Sequence, residues 1–334
     1  MRVLLAFFEP FILMLLGTVL VATLLPAQGQ WRGVFDLLAD IAIVLLFFLH
    51  GAKLSRQAIV DGARHWRLHV ATLSITYVLF PVLGVALASL EVLPGPLTTG
   101  LVFLSLLPST VQSSIAFTSM ARGNVAAAVC SASFSNLLGI FLTPLLVTLL
   151  MTTQGSAGAS WSAVQSILLQ LLLPFAAGHL LRPVVGGFVA RHKAMITLVD
   201  RGSILLVVYS AFGAAVLEGL WHRVSGLDLL ALAAISAVML AIALSASWTL
   251  GRLLGFARED RVVLLFCGSK KSLVSGVPMA GVLFAAANVG MVILPLMLFH
   301  QLQLIACAVI ARRLGAAADI SSRQPPRAAA TPVI

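Results

Sequence analysis

The chain alternates long apolar runs with short polar breaks. Ten runs stand out, at about 7–25, 36–51, 66–89, 98–119, 124–151, 163–181, 202–218, 228–251, 262–284 and 289–311. Each approaches the roughly 20 residues that a helix needs to cross a hydrocarbon core of about 30 Å. Breaks such as "PAQGQWRG", "EVLPGP" and "TTQGSAGAS" are too short to hold a soluble domain. The pattern predicts an all-α polytopic membrane protein with ten transmembrane helices, followed by a disordered cytoplasmic tail over 315–334. The opening run lacks a convincing polar, small-residue cleavage site, so it reads as the first helix and not as a signal peptide.

The runs divide at an outer linker, 152–162, into five (1–151) and five (163–314). An odd number per half inverts the second half relative to the first. The fourth run, "LSLLPSTVQSSIAFTSMARGN", and the ninth, "LFCGSKKSLVSGVPMAG", hold matching places in the two halves. Each has a helix breaker and a polar cluster at mid-depth, the sequence mark of a binding site between inverted repeats.

Composition agrees with the pattern. The chain is 60% hydrophobic and 10% charged, against about 25% charged in ordinary soluble domains. A net charge of +10 would suggest nucleic acid in a soluble chain, but its distribution says otherwise. With ten spans and an inner N-terminus, seventeen Lys and Arg fall in inner loops and tails and two, Arg32 and Arg223, fall outside. That bias places both termini in the cytoplasm of a multi-pass inner-membrane protein, and no nucleic-acid partner is expected. Cys130, Cys267 and Cys307 lie inside apolar runs without metal-ligand spacing, so neither a disulfide framework nor a metal site is expected. Enzyme motifs are lacking: "GSKKS" has Val263 and Leu264 where a phosphate-binding loop needs its first glycine.

Polar residues inside the runs are the candidate site. Ser109, Gln112 and Ser113 share a face of the fourth run at helical spacing. Ser131, Ser135 and Asn136 form a face of the fifth, and His300 and Gln303 lie three apart in the tenth. For a single serine the competing explanation is close helix packing. The ninth run adds Ser269, Lys270, Lys271, Ser272 and Ser275. Lys270 lies nine residues from Arg261, or roughly 13 Å along a helix, near the middle of the core. Each central charge costs about 2.5–3.5 kcal/mol, against a gain of about 0.3–0.6 for each large apolar residue. Intramembrane charges at that cost mark functional sites. Gly268 and Gly276-Val277-Pro278 bracket the pair, and the backbone is expected to unwind there. The competing reading is a structural pair neutralised by carbonyls at the break.

The motifs "CGSKKSLVSGVPMA", "PSTVQSSIAFTSMARGN" and "SNLLGIFLTPLL" resemble the bile acid:sodium symporter superfamily. The nearest branch is the sodium-bile-acid-symporter-like one, which includes bacterial transporters and vertebrate solute carrier family 10 member 7. The resemblance extends to about residue 314. It implies ten helices in two inverted five-helix repeats, with helices 1, 2, 6 and 7 as a panel. Helices 3–5 and 8–10 form the core, where broken helices 4 and 9 cross. It also places Ser269 at an acidic sodium ligand, Leu273 at a glutamine, Ser114 at a sodium-ligand serine and Ile115 at its asparagine partner. The sodium ligands are thus largely replaced, and a cation beside two lysines is repelled at short range.

These observations predict a secondary-active carrier of a small, anionic organic solute, working by alternating access. No bound cofactor is expected, and Na⁺ or H⁺ is the possible coupling ion. The lysines stand in for the bound cation, and help bind the solute or titrate as the coupling group. Two alternatives remain open at this point: sodium-coupled symport of a bile-acid-like anion, and a non-transporting regulator of the same fold. The substrate and the oligomeric state are not fixed by the sequence.

Overall fold

A computed structural model describes residues 10–53, 65–151 and 168–323. The linker 152–162, the starts of the first and sixth runs and the end of the tail lie outside the described residues. All regular structure among these residues is helical. The elements are α1 (Pro10–Leu24), α2 (Gln30–Lys53), α3 (Trp66–Ala88), α4 (Gly95–Ser105), α5 (Gln112–Met120), α6 (Val125–Met151) and α7 (Leu173–Leu180). They continue with α8 (Arg182–Arg191), α9 (Lys193–Leu217), α10 (Leu220–Arg223), α11 (Gly226–Leu253), α12 (Arg258–Gly268), α13 (Leu273–Leu283) and α14 (Ala286–Arg323). Counting α12 with α13 as one, seven are long and apolar enough to cross a membrane, or eight if the bent α7–α8 pair, at 89°, is one span. Their outward faces carry large apolar side chains, such as Val184 at 81% exposure and Leu253 at 78%. Such a surface is solvated by lipid, and the protein is a multi-pass membrane protein.

The apolar runs become helices, but three details differ from the sequence reading. The ninth run does unwind at the lysines, over 269–272, yet Gly276 and Pro278 sit inside α13 and break nothing. Residues 182–191, between the sixth and seventh runs, form a helix of their own, where the sequence reading had a loop. The last helix continues to Arg323, through the start of the stretch expected to be disordered, where the three alanines 316–318 favour helix.

Helices α1, α2, α7 and α9 pack together, and α9 also touches α13 and α14, while α4 runs along α14 and α12 lies against α11. The α2–α7 contact is backbone on backbone. A Cβ on Gly178 would lie 1.9 Å from the Phe48 carbonyl oxygen, and one on Gly51 would lie 2.0 Å from that of Phe175. In lipid, where apolar burial gives little drive, such close approach is what holds helices together.

Inside α3 lies a π turn, Ile75–Leu79. Its shifted register sends the Phe80 N–H to the Ile75 carbonyl. The next residue, Pro81, has no N–H to give. The Thr76 carbonyl is therefore left for another donor. That donor comes from the far end of the chain.

Candidate functional site

Two breaks meet in the middle of the molecule. The fourth run is interrupted between α4 and α5, where Pro108 cannot continue a helix, and the ninth between α12 and α13. They are joined directly, since the Ser272 N–H donates to the Pro108 carbonyl at 2.8 Å. The combined α12–α13 segment is by far the most enclosed of the long helices.

The carbonyl side of this junction holds Lys271, which is fully buried. Its Nζ donates to the carbonyls of Thr76, Ser105 and Leu107, each at 2.8 Å. It also lies 4.2 Å from the Phe80 ring centre. Ser105 ends α4 and Leu107 follows its cap, at the end where the helix dipole is negative. Three bonds to a charged donor, at about 1.5–3 kcal/mol each, outweigh an insertion cost of about 2.5–3.5 kcal/mol. Lys270 is as deeply buried but less well held. Its Nζ reaches Ser113 Oγ at 3.3 Å and lies 4.5 Å from the Phe117 ring centre. One long hydrogen bond and a cation–π contact of about 2 kcal/mol leave it near break-even.

Gln303, buried on α14, closes the unwound peptide. The Lys271 N–H donates to Oε1 at 2.8 Å, and Nε2 donates to the Lys271 carbonyl at 2.9 Å. Nε2 also lies 2.8 Å from His300 Nδ1. Because the peptide fixes the amide orientation, Nε2 is the donor there and Nδ1 accepts, so the His300 proton sits on Nε2.

The amide side of the junction faces a cavity of about 300 Å³, within the usual range for small-molecule sites. The first residues of α5 and α13 form one wall, with Gln112, Ser113, Ser272 and Ser275 among the lining side chains. Asn136 and His300 complete the polar part. Asn136 Nδ2 donates to the Ser109 carbonyl at 2.7 Å, and its Oδ1 accepts from Ser275 Oγ at 2.8 Å. The opposite wall comes from α1, α2, α7 and α9, with Phe11, Phe47, Phe175 and Ile204 as its apolar surface. Near the Lys53–Asp200 ion pair the lining also takes in His50 and Arg201.

Six expected site residues therefore line the cavity: Gln112, Ser113, Asn136, Ser272, Ser275 and His300. Behind them stand Lys270, Lys271, Gln303 and four serines. Ser109 donates its N–H to Ser135 Oγ at 2.9 Å, Ser114 Oγ donates to the Phe266 carbonyl at 3.0 Å, and Ser269 Oγ donates to the Leu265 carbonyl at 2.5 Å. Ser131 stands apart from the others. It pairs with His69 Nδ1 at 2.7 Å, away from the cavity, because the cavity face of α6 is Ser133, Asn136, Leu137 and Ile140. That face lies about half a turn round from Ser131. Sequence reading also missed Thr110, Ser133, Lys53, Asp200 and Arg201. Thr110 was visible inside the proline break, but the charges read as loop residues. Their role depends on a pairing between positions 147 apart. Among the described residues, no group of three or more His, Cys, Asp or Glu is placed to hold a metal ion.

A lipid-facing helical shell, two interrupted helices joined at their breaks and a polar-headed cavity beside them belong to a membrane transporter. Sequence comparison gives the family. The profile of the SBF-like CPA transporter family matches residues 9–316, and the chain belongs to that family. It is 57% identical over 307 residues to the Pseudomonas aeruginosa protein PA2026, covering 91% of this chain and 92% of that one. It is 53% identical over 308 residues to "Putative symporter YfeH" of Escherichia coli strain K12, with coverage of 91% and 92%. Sodium/bile acid cotransporter 7 of Rattus norvegicus is 26% identical over 279 residues, 81% of each chain. The relatives with a named activity are transporters and not enzymes.

Proposed function

We propose that the chain is a secondary-active carrier of a small organic anion, working by alternating access in the inner membrane with both termini in the cytoplasm. The observation that carries this reading is the polarity of the junction. The carbonyl end of α4 holds Lys271, while the amide ends of α5 and α13 open onto the cavity. Helix N-termini favour negative ligands, and half-helices aimed at an anionic group are a transporter device. Aromatic and aliphatic side chains opposite suit the solute's apolar body.

The architecture proposed is ten spans in two inverted five-helix repeats, with α1, α2, α7 and α9 as the panel and the remaining long helices as the core. What supports it is the packing of those four helices together and the position of the cavity between the two groups. The orientation is supported by the Arg258 guanidinium. It donates to the carbonyls of Ala121 at 3.3 Å and Leu314 at 2.6 Å, which gathers three basic segments at one end. Coupling to H⁺ is favoured over Na⁺. A sodium ion at the α4 break would need the carbonyls of Ser105 and Leu107, which the Lys271 ammonium already takes.

The test is a thermal-stability screen of the purified chain against organic anions, cations and neutral solutes, with and without Na⁺ and across pH. Stabilisation by anions, followed by their uptake into proteoliposomes, is expected. Stabilisation only by cations, or a strict Na⁺ requirement, overturns the reading.

A further inference from the structure

The two lysines are chemically unlike. An ammonium has three N–H donors, and Lys271 places all three on carbonyls. Lys270 places one, on Ser113 Oγ. Neither lysine has a carboxylate within 4.0 Å, since the ion pairs among the described residues are Arg32–Asp36 and Lys53–Asp200. The titratable groups around Lys270 are Cys267 on α12, Cys307 and His300 on α14, and Lys271 beside it.

The hydroxyls next to Lys270 run in a fixed direction. Ser114 Oγ donates to the Phe266 carbonyl, which can only accept. Thr110 therefore donates to Ser114 at 3.0 Å, and Ser113 donates to Thr110 at 2.9 Å. What Ser113 has left for Lys270 is a lone pair. Ser113 and Thr110 both line the cavity, so Lys270 is one hydroxyl away from it.

We propose that the pair divides its work: Lys271 is a permanent cross-link between the α3 π turn and the α4 break, and Lys270 takes up and releases the coupling proton through Ser113. The hydroxyl direction given above belongs to the charged state, in which Lys270 donates to Ser113. In the loading step the Ser113 hydroxyl turns from Thr110 to the Lys270 amine, gives it its own proton and takes one from a cavity water, which makes Lys270 an ammonium. In the release step the ammonium returns a proton to the Ser113 oxygen while the Ser113 O–H proton passes to water. Lys271 keeps its three bonds throughout. A charged Lys270 draws the solute's negative group to the α5 end of the cavity, so that one proton accompanies one negative charge. This assignment rests on the reading of the cavity as the solute site, but its test needs no solute.

The experiment measures the unfolding midpoint of the purified full chain in nanodiscs from about pH 6 to about pH 10, the range below the ordinary lysine value. Wild type is compared with Lys270→Met, Lys270→Arg, Ser113→Ala and Lys271→Met. Wild type should show a pH-dependent step that both Lys270 variants abolish, because arginine does not deprotonate in this range. Ser113→Ala should displace the step. Lys271→Met should lower the midpoint at every pH and keep the step. A Lys271→Met chain that does not fold is also the outcome expected of a permanent cross-link, and the Lys270 variants then decide. The proposal is overturned if the step survives in both Lys270 variants, or if Lys271→Met folds normally and loses it. A lysine-linked step without binding of any organic anion would sink the carrier reading and leave this one standing.

Discussion

The side-chain amide of Gln303 takes the place of two helical neighbours for Lys271, accepting from its N–H at 2.8 Å and donating to its carbonyl at 2.9 Å. An unwound peptide at this depth has no water to turn to, and irregular backbone is tolerated in a membrane only where protein satisfies it. Gln303→Met keeps the volume and strands both groups. At about 1–3 kcal/mol for each unsatisfied group, the variant should lose about 2 kcal/mol or more of stability in denaturant unfolding. Gln303→Glu keeps the acceptor and should fall between. A Met variant as stable as wild type would refute the clamp.

The cavity residues Gln112 and Asn136 should separate in function. Gln112 is exposed on the cavity wall, so Gln112→Ala should leave the unfolding free energy within about 0.5 kcal/mol and weaken anion-induced stabilisation. Asn136 ties the fourth-run break to α13, so Asn136→Ala should cost about 1–3 kcal/mol as well as anion binding. Equal losses of stability in both variants would mean that Gln112 also serves packing.

Backbone contact between α2 and α7 makes Gly178 and Gly51 sensitive to a single methyl group. Gly178→Ala should force the helices apart and lower the yield of folded protein in membranes, and Gly51→Ala should do the same. Wild-type yields of both, measured by size-exclusion profile, would contradict the close approach.

The charge-based orientation predicts which ends are reachable. A cysteine at Gln28, exposed between α1 and α2, should react with an impermeant thiol reagent in intact cells. One at Ala257, exposed before α12, should react only after lysis. The reverse pattern overturns the assignment of both termini to the cytoplasm.

Hydropathy made the helices legible, because in lipid an apolar run of spanning length has few other folds open to it. The breaks were legible too, since Pro108 and the lysine pair violate the surrounding pattern. The cost of a buried charge correctly marked Lys270 and Lys271 as enclosed, but one argument applied to both could not tell them apart. Their difference depends on which carbonyls lie within reach, and those come from residues more than 150 positions away. Ser131 shows a second limit: helical spacing groups residues on a face without saying which neighbour the face meets. The cavity's far wall, with Lys53 and Asp200, was hidden because charges near run ends look alike whether they meet water or each other.

The π turn in α3 has a consequence for how this sequence can change. Pro81 lacks the proton that the Thr76 carbonyl would receive if the π register ran on by one residue, and Lys271 supplies it from 195 positions away. The two residues are thus halves of one donor–acceptor pair. Pro81→Ala introduces a competing N–H beside an ammonium already seated, and Lys271→Met strands the carbonyl that the proline left open. Each change alone leaves a mismatch, whereas the two together give the Thr76 carbonyl the backbone N–H of residue 81 in the π register. Their effects on stability should therefore be less than additive, and a lineage that loses the lysine is freed to lose the proline.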